Sequence, residues 1–207
     1  MGQKRDSSLP LSMTTDALAF LSGWSRNPLA VGLPFASSFW TARRLAQVTL
    51  DTATPGGGPV LELGAGTGSV TAAFVEAGCS AENIIVVERD AELCRRLERR
   101  FRGLYVLHGN ALEIEKILSR AQVSSVCVVL SGLPMRAVAL EAAARCYSAA
   151  FQWMPPGGTI IQYTYGFRSP VDPDKALPNL DATFIGREWR NLPPMGIWSY
   201  RLMQQSS

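Results

Sequence analysis

The side chains that much enzyme chemistry depends on are scarce in this chain. Its 207 residues hold one histidine, His108, and four cysteines, Cys79, Cys94, Cys127 and Cys146, with no Cys-x-x-Cys pair among them. Such spacing excludes the common zinc folds, so no metal is expected and the thiols read as small apolar residues in a reduced compartment. No stretch approaches the roughly 18 unbroken apolar residues of a membrane span, and residues 1–13 hold no apolar core of the kind a secretory signal needs. Gly2 follows Met1, but Asp6 stands where a myristoylation signal has Ser or Thr. Charge is thin as well: 18% of residues, with a net +3 that does not select a nucleic-acid partner. Arg89, Arg95, Arg96, Arg99, Arg100 and Arg102 cluster, but Asp90, Glu92 and Glu98 are interleaved, as on a solvated helix face. Internal repeats and low-complexity tracts are absent. At 47% hydrophobic, the chain still has enough apolar residues for one sizeable core, in the cytoplasm or on the inner face of a membrane.

Periodicity supplies the architecture. Thr14, Thr15 or Asp16 caps a short helix whose Ala17, Phe20, Leu21 and Trp24 recur at helical spacing, and Asn27-Pro28 ends it. Ser37 or Ser38 caps a second helix that runs through Leu50, before the breaker Pro55-Gly56-Gly57-Gly58. Residues 1–54 are thus expected as a helical segment, a lid or membrane contact, ahead of a domain over 55–207. In that domain strands over 59–63, 84–88, 104–108 and 125–130 alternate with helices over 67–77, 90–100, 113–121 and 135–153. This is the pattern of a parallel sheet covered by helices, an α/β fold. A fifth strand, 158–165, follows Pro155-Pro156-Gly157, and two β-like runs, 182–189 and 196–203, close the chain without a helix of useful length between them. A dinucleotide dehydrogenase would more often continue as strand and helix.

The most informative segment is Val60-Leu61-Glu62-Leu63-Gly64-Ala65-Gly66-Thr67-Gly68-Ser69. An apolar strand enters a glycine turn that opens a helix, and glycines there let backbone approach a ligand closely. Ser69 occupies the place of the third glycine of a dinucleotide-binding loop, so the fit to that fingerprint is broken. Glu62 is placed to hold a ligand's ammonium group. Glu88, at the end of the second strand, is placed to accept ribose hydroxyls. Asn110, after the third strand, can accept from an adenine amino group through its carbonyl oxygen. His108 reads as a strand-end residue. Ser131-Gly132-Leu133-Pro134, after the fourth strand, offers side-chain and backbone oxygens that can orient an accepting nitrogen. Tyr163 and Tyr165, two apart on the fifth strand, share a face that suits a cationic group.

Taken together, these segments resemble the bacterial phospholipid N-methyltransferases, which convert phosphatidylethanolamine stepwise to phosphatidylcholine. The likeness rests on Phe20-Leu21-Ser22-Gly23-Trp24 with Asn27-Pro28, on Gly32 to Arg44, and on the glycine turn with Ser131-Gly132-Leu133-Pro134. It extends to Gln162-Tyr163-Thr164-Tyr165-Gly166 and to Trp189-Arg190-Asn191-Leu192-Pro193-Pro194 with Trp198 and Tyr200. Ala36 and Asn110 depart from the family pattern, and the first segment is less basic than is usual there.

The resemblance implies a Rossmann-like class I methyltransferase fold: a seven-stranded, mostly parallel sheet with a C-terminal antiparallel hairpin, helices on both faces, and N-terminal helices. It implies S-adenosylmethionine as cofactor, held by Glu62, Gly64, Ala65, Gly66, Gly68, Glu88, Arg89, Asn110, Ala111 and Ser131. It also implies Ser131 and Tyr165 as catalytic residues. Ser37, Ser38, Tyr163 and Tyr165 would surround the lipid headgroup, with Arg187, Arg190 and Asn191 near its phosphate, and the proline-bearing stretch 169–179 would be a mobile flap. The expected partners are phosphatidylethanolamine, its methylated forms and a transient membrane surface, with no nucleic acid. An RNA adenine N6-methyltransferase, another small-amine or lipid methyltransferase, and a non-catalytic cofactor-binding protein are the competing readings.

Overall fold

Seven strands form one sheet in a computed structural model that describes residues 35–165, 167–191 and 194–203. They are β1 (Val60–Leu63), β2 (Ile84–Glu88), β3 (Tyr105–His108), β4 (Val128–Ser131), β5 (Ile160–Thr164), β6 (Leu180–Glu188) and β7 (Met195–Leu202). Their spatial order is β3-β2-β1-β4-β5-β7-β6, with β1 to β5 parallel and β7 antiparallel to both β5 and β6. The expected architecture is therefore present, including the closing hairpin. One connection goes beyond the sequence reading: β7 inserts between β5 and β6, which leaves β6 at an edge.

Strands β1, β2 and β4 are buried along their whole length, as Val, Ile and Leu runs covered on both faces should be. Alternate residues serve two cores. Leu61, Leu63, Ile85, Val87 and Val129 pack with Ile114 and Leu118 of α4 (Ile114–Arg120) and with Ala143, Cys146 and Tyr147 of α5 (Leu140–Gln152). On the other face Val60, Ile84, Val86, Val128 and Leu130 meet α1 (Phe35–Asp51), α2 (Ser69–Glu76) and α3 (Ala91–Arg100). The second expected helix is thus present as α1, and its Ala42, Leu45, Ala46 and Val48 are buried in the sheet's own core. The helix expected over 14–26 and the side chains of Ser37 and Ser38 lie outside the described residues.

Local chemistry sets the element ends. Asp90 caps α3 by accepting the N–H groups of Glu92 and Leu93, while Arg99 and Arg100 occupy its last turn. Glu92 binds Arg95, Arg96 and Arg99 on the exposed face of α3, so the arginine cluster is a solvated ion-pair network. The helix expected from residue 135 starts at Leu140. A single 3-10 turn, Met135–Ala137, intervenes because Pro134 opens the segment and Met135 is buried as an anchor.

The stretch 169–179, expected as a loose flap, is pinned at its start. Ser169 Oγ lies 2.6 Å from the Tyr200 hydroxyl, and the Val171 N–H donates to the same hydroxyl at 3.2 Å. Val171 is fully buried, and a short helix, α6 (Pro173–Ala176), begins at Pro173 two residues later.

Candidate cofactor and acceptor site

The turn after β1 is built from three glycines in the left-handed region, Gly64 at φ 78°, Gly66 at 56° and Gly68 at 78°. Side chains adopt that conformation only with strain, so the alternation of glycine is a requirement of the turn itself. The turn is tied at both sides: the Gly64 N–H donates to the Val87 carbonyl at 2.8 Å, and Arg100 donates to the Thr67 carbonyl at 3.2 Å.

Two carboxyl groups meet this turn. Glu88 closes β2 and folds onto backbone amides, accepting from Gly66 at 2.9 Å, Arg89 at 2.8 Å and Asp90 at 2.9 Å. Glu62 sits in the middle of β1 with 3% of its surface exposed, and the Thr71 hydroxyl of α2 donates to it at 2.6 Å. Burial pushes the Glu62 carboxyl up to about 8; the Thr71 hydrogen bond opposes that rise and the Glu88 charge adds to it. A buried carboxyl with one hydroxyl partner is a site that a cationic group would ionise and occupy, and the donor set suits an amino-acid ammonium.

The third station lies beside them, because β2 and β3 pair with Glu88 opposite His108. Asn110 is exposed and caps the 3-10 turn Ala111–Glu113, its Oδ1 accepting from Leu112 at 3.1 Å. Ala111 is buried behind it, and Arg89 is exposed at the rim. His108 Nε2 lies 3.0 Å from the Arg89 carbonyl, so the single histidine secures the strand end.

The acceptor loop is pressed against the glycine turn. Gly132 donates to the Leu63 carbonyl at 2.8 Å. A Cβ on Gly132 would lie 3.0 Å from the Gly64 oxygen, 3.1 Å from the Tyr163 hydroxyl and 3.2 Å from the Leu63 oxygen. Any side chain there would have to push these neighbours, two of them backbone oxygens, back by a few tenths of an ångström. Ser131 has no exposed surface, and its Oγ accepts the Leu133 N–H at 3.4 Å, which gives it a loop-shaping bond. The Tyr163 hydroxyl, facing Gly132, is held above its ordinary range by burial and then by Tyr165 and Glu62, which places all three in one neighbourhood. Tyr165 stands further out, 44% exposed.

The hairpin brings the remaining expected residues to the same end of the sheet, since Thr164 pairs with Gly196 and Glu188 with Met195. The Arg187 guanidinium lies over three rings, at 4.4 Å from the centre of Phe167, 5.8 Å from Phe184 and 5.9 Å from Trp189. Arg190 lies over Trp40 of α1 at 4.6 Å. Asn191 is buried and accepts from Thr41 at 3.3 Å, tying the hairpin turn to α1. Sequence reading gave Thr71, Gly132, Tyr147 and Gln162 no role of their own. The one available signal was Gln162, a polar residue inside the apolar run Ile160-Ile161-Gln162.

Comparison with known proteins places the fold among methyltransferases. The chain is 28% identical over 202 residues to an ornithine lipid N-methyltransferase from Singulisphaera acidiphila, covering 92% of this chain and 98% of that protein. Among solved structures, Haemonchus contortus phosphoethanolamine N-methyltransferase 1 superimposes with a TM-score of 0.60 at 12% identity, over 94% of this chain and 50% of that one. The CurJ carbon methyltransferase gives 0.56 at 14% identity, over 77% and 54%. The chain thus spans about half the length of these two structures. The TrkA-N domain profile matches residues 63–151, less than half of the chain. That stretch runs from the end of β1 into α5, the part of the sheet that open, doubly wound α/β folds have in common. The hairpin that follows it separates the two fold types, and the described residues have the fold of the class I S-adenosylmethionine-dependent methyltransferases.

Proposed function

We propose that this chain transfers methyl groups from S-adenosylmethionine to the primary amine of a membrane aminolipid. The observation that carries the reading is the extent of the likeness to the ornithine lipid N-methyltransferase. At 92% of the chain it runs well beyond the cofactor half of the sheet, which unrelated methyltransferases also have.

When bound, the cofactor supplies a methyl group activated on a sulfonium. The chain's own residues hold and orient. Glu62 takes the ammonium end, Glu88 the ribose hydroxyls and Asn110 the adenine edge, against the backbone of Gly64, Ala65, Gly66 and Gly68. Arg89 and Ala111 flank the nucleoside side. Ser131 shapes the loop that carries Gly132 and Leu133, which forms the wall of the acceptor side. Tyr163 and Tyr165 face the amine, which acquires fixed positive charge as methyls accumulate. Because methyl transfer is an in-line displacement, alignment accounts for most of the acceleration.

Arg187 and Arg190 meet the anionic part of the headgroup at the hairpin rim. Phosphatidylethanolamine, with a phosphate beside its amine, is the substrate the sequence resemblance favours, and ornithine lipid is the one the relative favours. The exposed rings of Phe167 and Trp189 suit the headgroup level of a bilayer. Among the described residues no helix is long and apolar enough to cross a membrane, and the working position proposed is peripheral, on the inner face.

The test uses purified protein, methyl-labelled S-adenosylmethionine and anionic vesicles containing either phosphatidylethanolamine or ornithine lipid. Label in mono-, di- or trimethylated phosphatidylethanolamine supports the finer reading. Label in ornithine lipid alone moves the substrate to that headgroup. Cofactor binding without label in either lipid overturns the aminolipid reading.

A further inference from the structure

Strand β5 carries a polar side chain with no exposed surface, Gln162, directly opposite Ser131 in the β4–β5 register. A buried amide is costly unless its donors and acceptor are bonded. Those of Gln162 are bonded in one direction only. Its Nε2 donates to the Leu133 carbonyl at 2.9 Å and to the Tyr163 carbonyl at 2.8 Å, while its Oε1 accepts the Tyr147 hydroxyl at 3.1 Å. Two carbonyl oxygens on one side accept and cannot donate, so the amide cannot turn over. Tyr147 is itself fully buried, its ring edge-on to Tyr200 at 5.1 Å.

We propose that Gln162, with its amide oriented by Tyr147, is a positioning residue for the methyl acceptor. It fixes the Leu133 carbonyl, and with it the wall that Gly132 presses against the glycine turn. That carbonyl also accepts the Met135 N–H at 2.8 Å, so both of its lone pairs are used and Gln162 acts on the acceptor through the position of the loop. The contact at Gly132 is close enough that a displaced Leu133 moves the acceptor loop relative to the bound cofactor. Helix α5, on the face of the sheet away from Glu62, is thereby linked to the reacting end through one amide. The inference rests on the amine-methylating function proposed above.

The test compares the wild type, Gln162→Met, Gln162→Glu and Tyr147→Phe on aminolipid vesicles, with cofactor affinity measured separately by calorimetry. Gln162→Met keeps the length of the side chain and removes all three bonds. Its kcat is expected to fall by about a hundredfold, the scale of a 1 Å misplacement, with cofactor Kd within about twofold of wild type. Tyr147→Phe, which keeps the ring packing on Tyr200, should lose about tenfold in kcat, again at constant cofactor Kd. Gln162→Glu can donate to Leu133 only while protonated, so the ratio of its kcat to that of wild type should fall as pH rises. A kcat for Gln162→Met within twofold of wild type overturns the proposal, as does a loss matched by equal weakening of cofactor binding. A wild-type protein that binds cofactor and methylates neither lipid overturns the functional reading and this role together. Turnover by wild type with unaffected variants overturns this role alone.

Discussion

At the residue scale, the Glu62 carboxyl gives cofactor binding a titration of its own. With its pKa raised to about 8 by burial, it is protonated at neutral pH until a cation arrives. Binding an ammonium group selects the carboxylate, so below pH 8 a proton must leave as the cofactor enters. Cofactor affinity is therefore expected to rise by as much as about tenfold per pH unit up to that point and to fall again above it, where the cofactor's α-amino group, ordinarily at about 7.7–8.0, loses its own proton. Glu62→Gln should bind about ten- to a hundredfold more weakly, the range for a lost charge-assisted bond, and with no such pH slope. Isothermal titration calorimetry between pH 6 and 9 checks both. Gly132 makes the complementary case, where the constraint is space. Gly132→Ala puts a methyl 3.0 Å from the Gly64 oxygen, which is backbone and cannot yield cheaply. A loss of about 1–3 kcal/mol, as for overpacking elsewhere, is expected in chemical denaturation, with weaker cofactor binding alongside.

At the scale of elements, what was legible in the sequence depended on how local its cause was. The glycine turn and the apolar strands β1, β2 and β4 each follow from a few consecutive residues, and they fold as those residues suggest. Helix α5 starts later than its periodicity implies because Met135 is claimed by the core before the helix can begin. The strap at residues 169–171 was misjudged for a related reason. Proline and serine announce a loop, but nothing near them announces Tyr200, 29 positions on from Val171, whose hydroxyl fastens it. Tyr200→Phe should release those bonds, at about 1 kcal/mol for a typical one, and hydrogen exchange should show lost protection at Val171 while β1 and β2 stay protected. The Gln162–Tyr147 pair escaped notice likewise, since it spans a strand and the helix on the opposite face of the sheet.

At the scale of the molecule, Glu62, Glu88, Asn110, Ser131, Tyr163 and Tyr165 lie towards the carboxyl ends of β1 to β5, near a topological switch point where α/β sheets place their ligands. The sequence order of Glu62, Glu88, Asn110 and Ser131 made that convergence legible. The ring cluster around Arg187 was not, because Phe167, Phe184 and Trp189 come from a loop and a strand brought together only by the hairpin. In the function proposed above, this rim is the cationic edge offered to a headgroup. Arg190→Ala should raise the apparent KM on anionic vesicles several-fold, from about 1 kcal/mol per basic residue near a membrane surface. The difference should shrink as salt is added, which a titration of initial rate against ionic strength would show.

The insertion of β7 between β5 and β6 has a consequence for how the protein is made. A ribosome delivers β6 before β7, and among the described residues β7 is the only strand that β6 pairs with. The cofactor half, β1 to β4 with its helices, can pair as it emerges, whereas β5 must wait with an open edge and β6 must wait with none of its partners. Assembly of the acceptor side therefore follows that of the cofactor half, and a ribosome stalled before residue 195 would hold a cradle that has its glycine turn and both carboxylates but lacks the strand that joins β6 to the sheet.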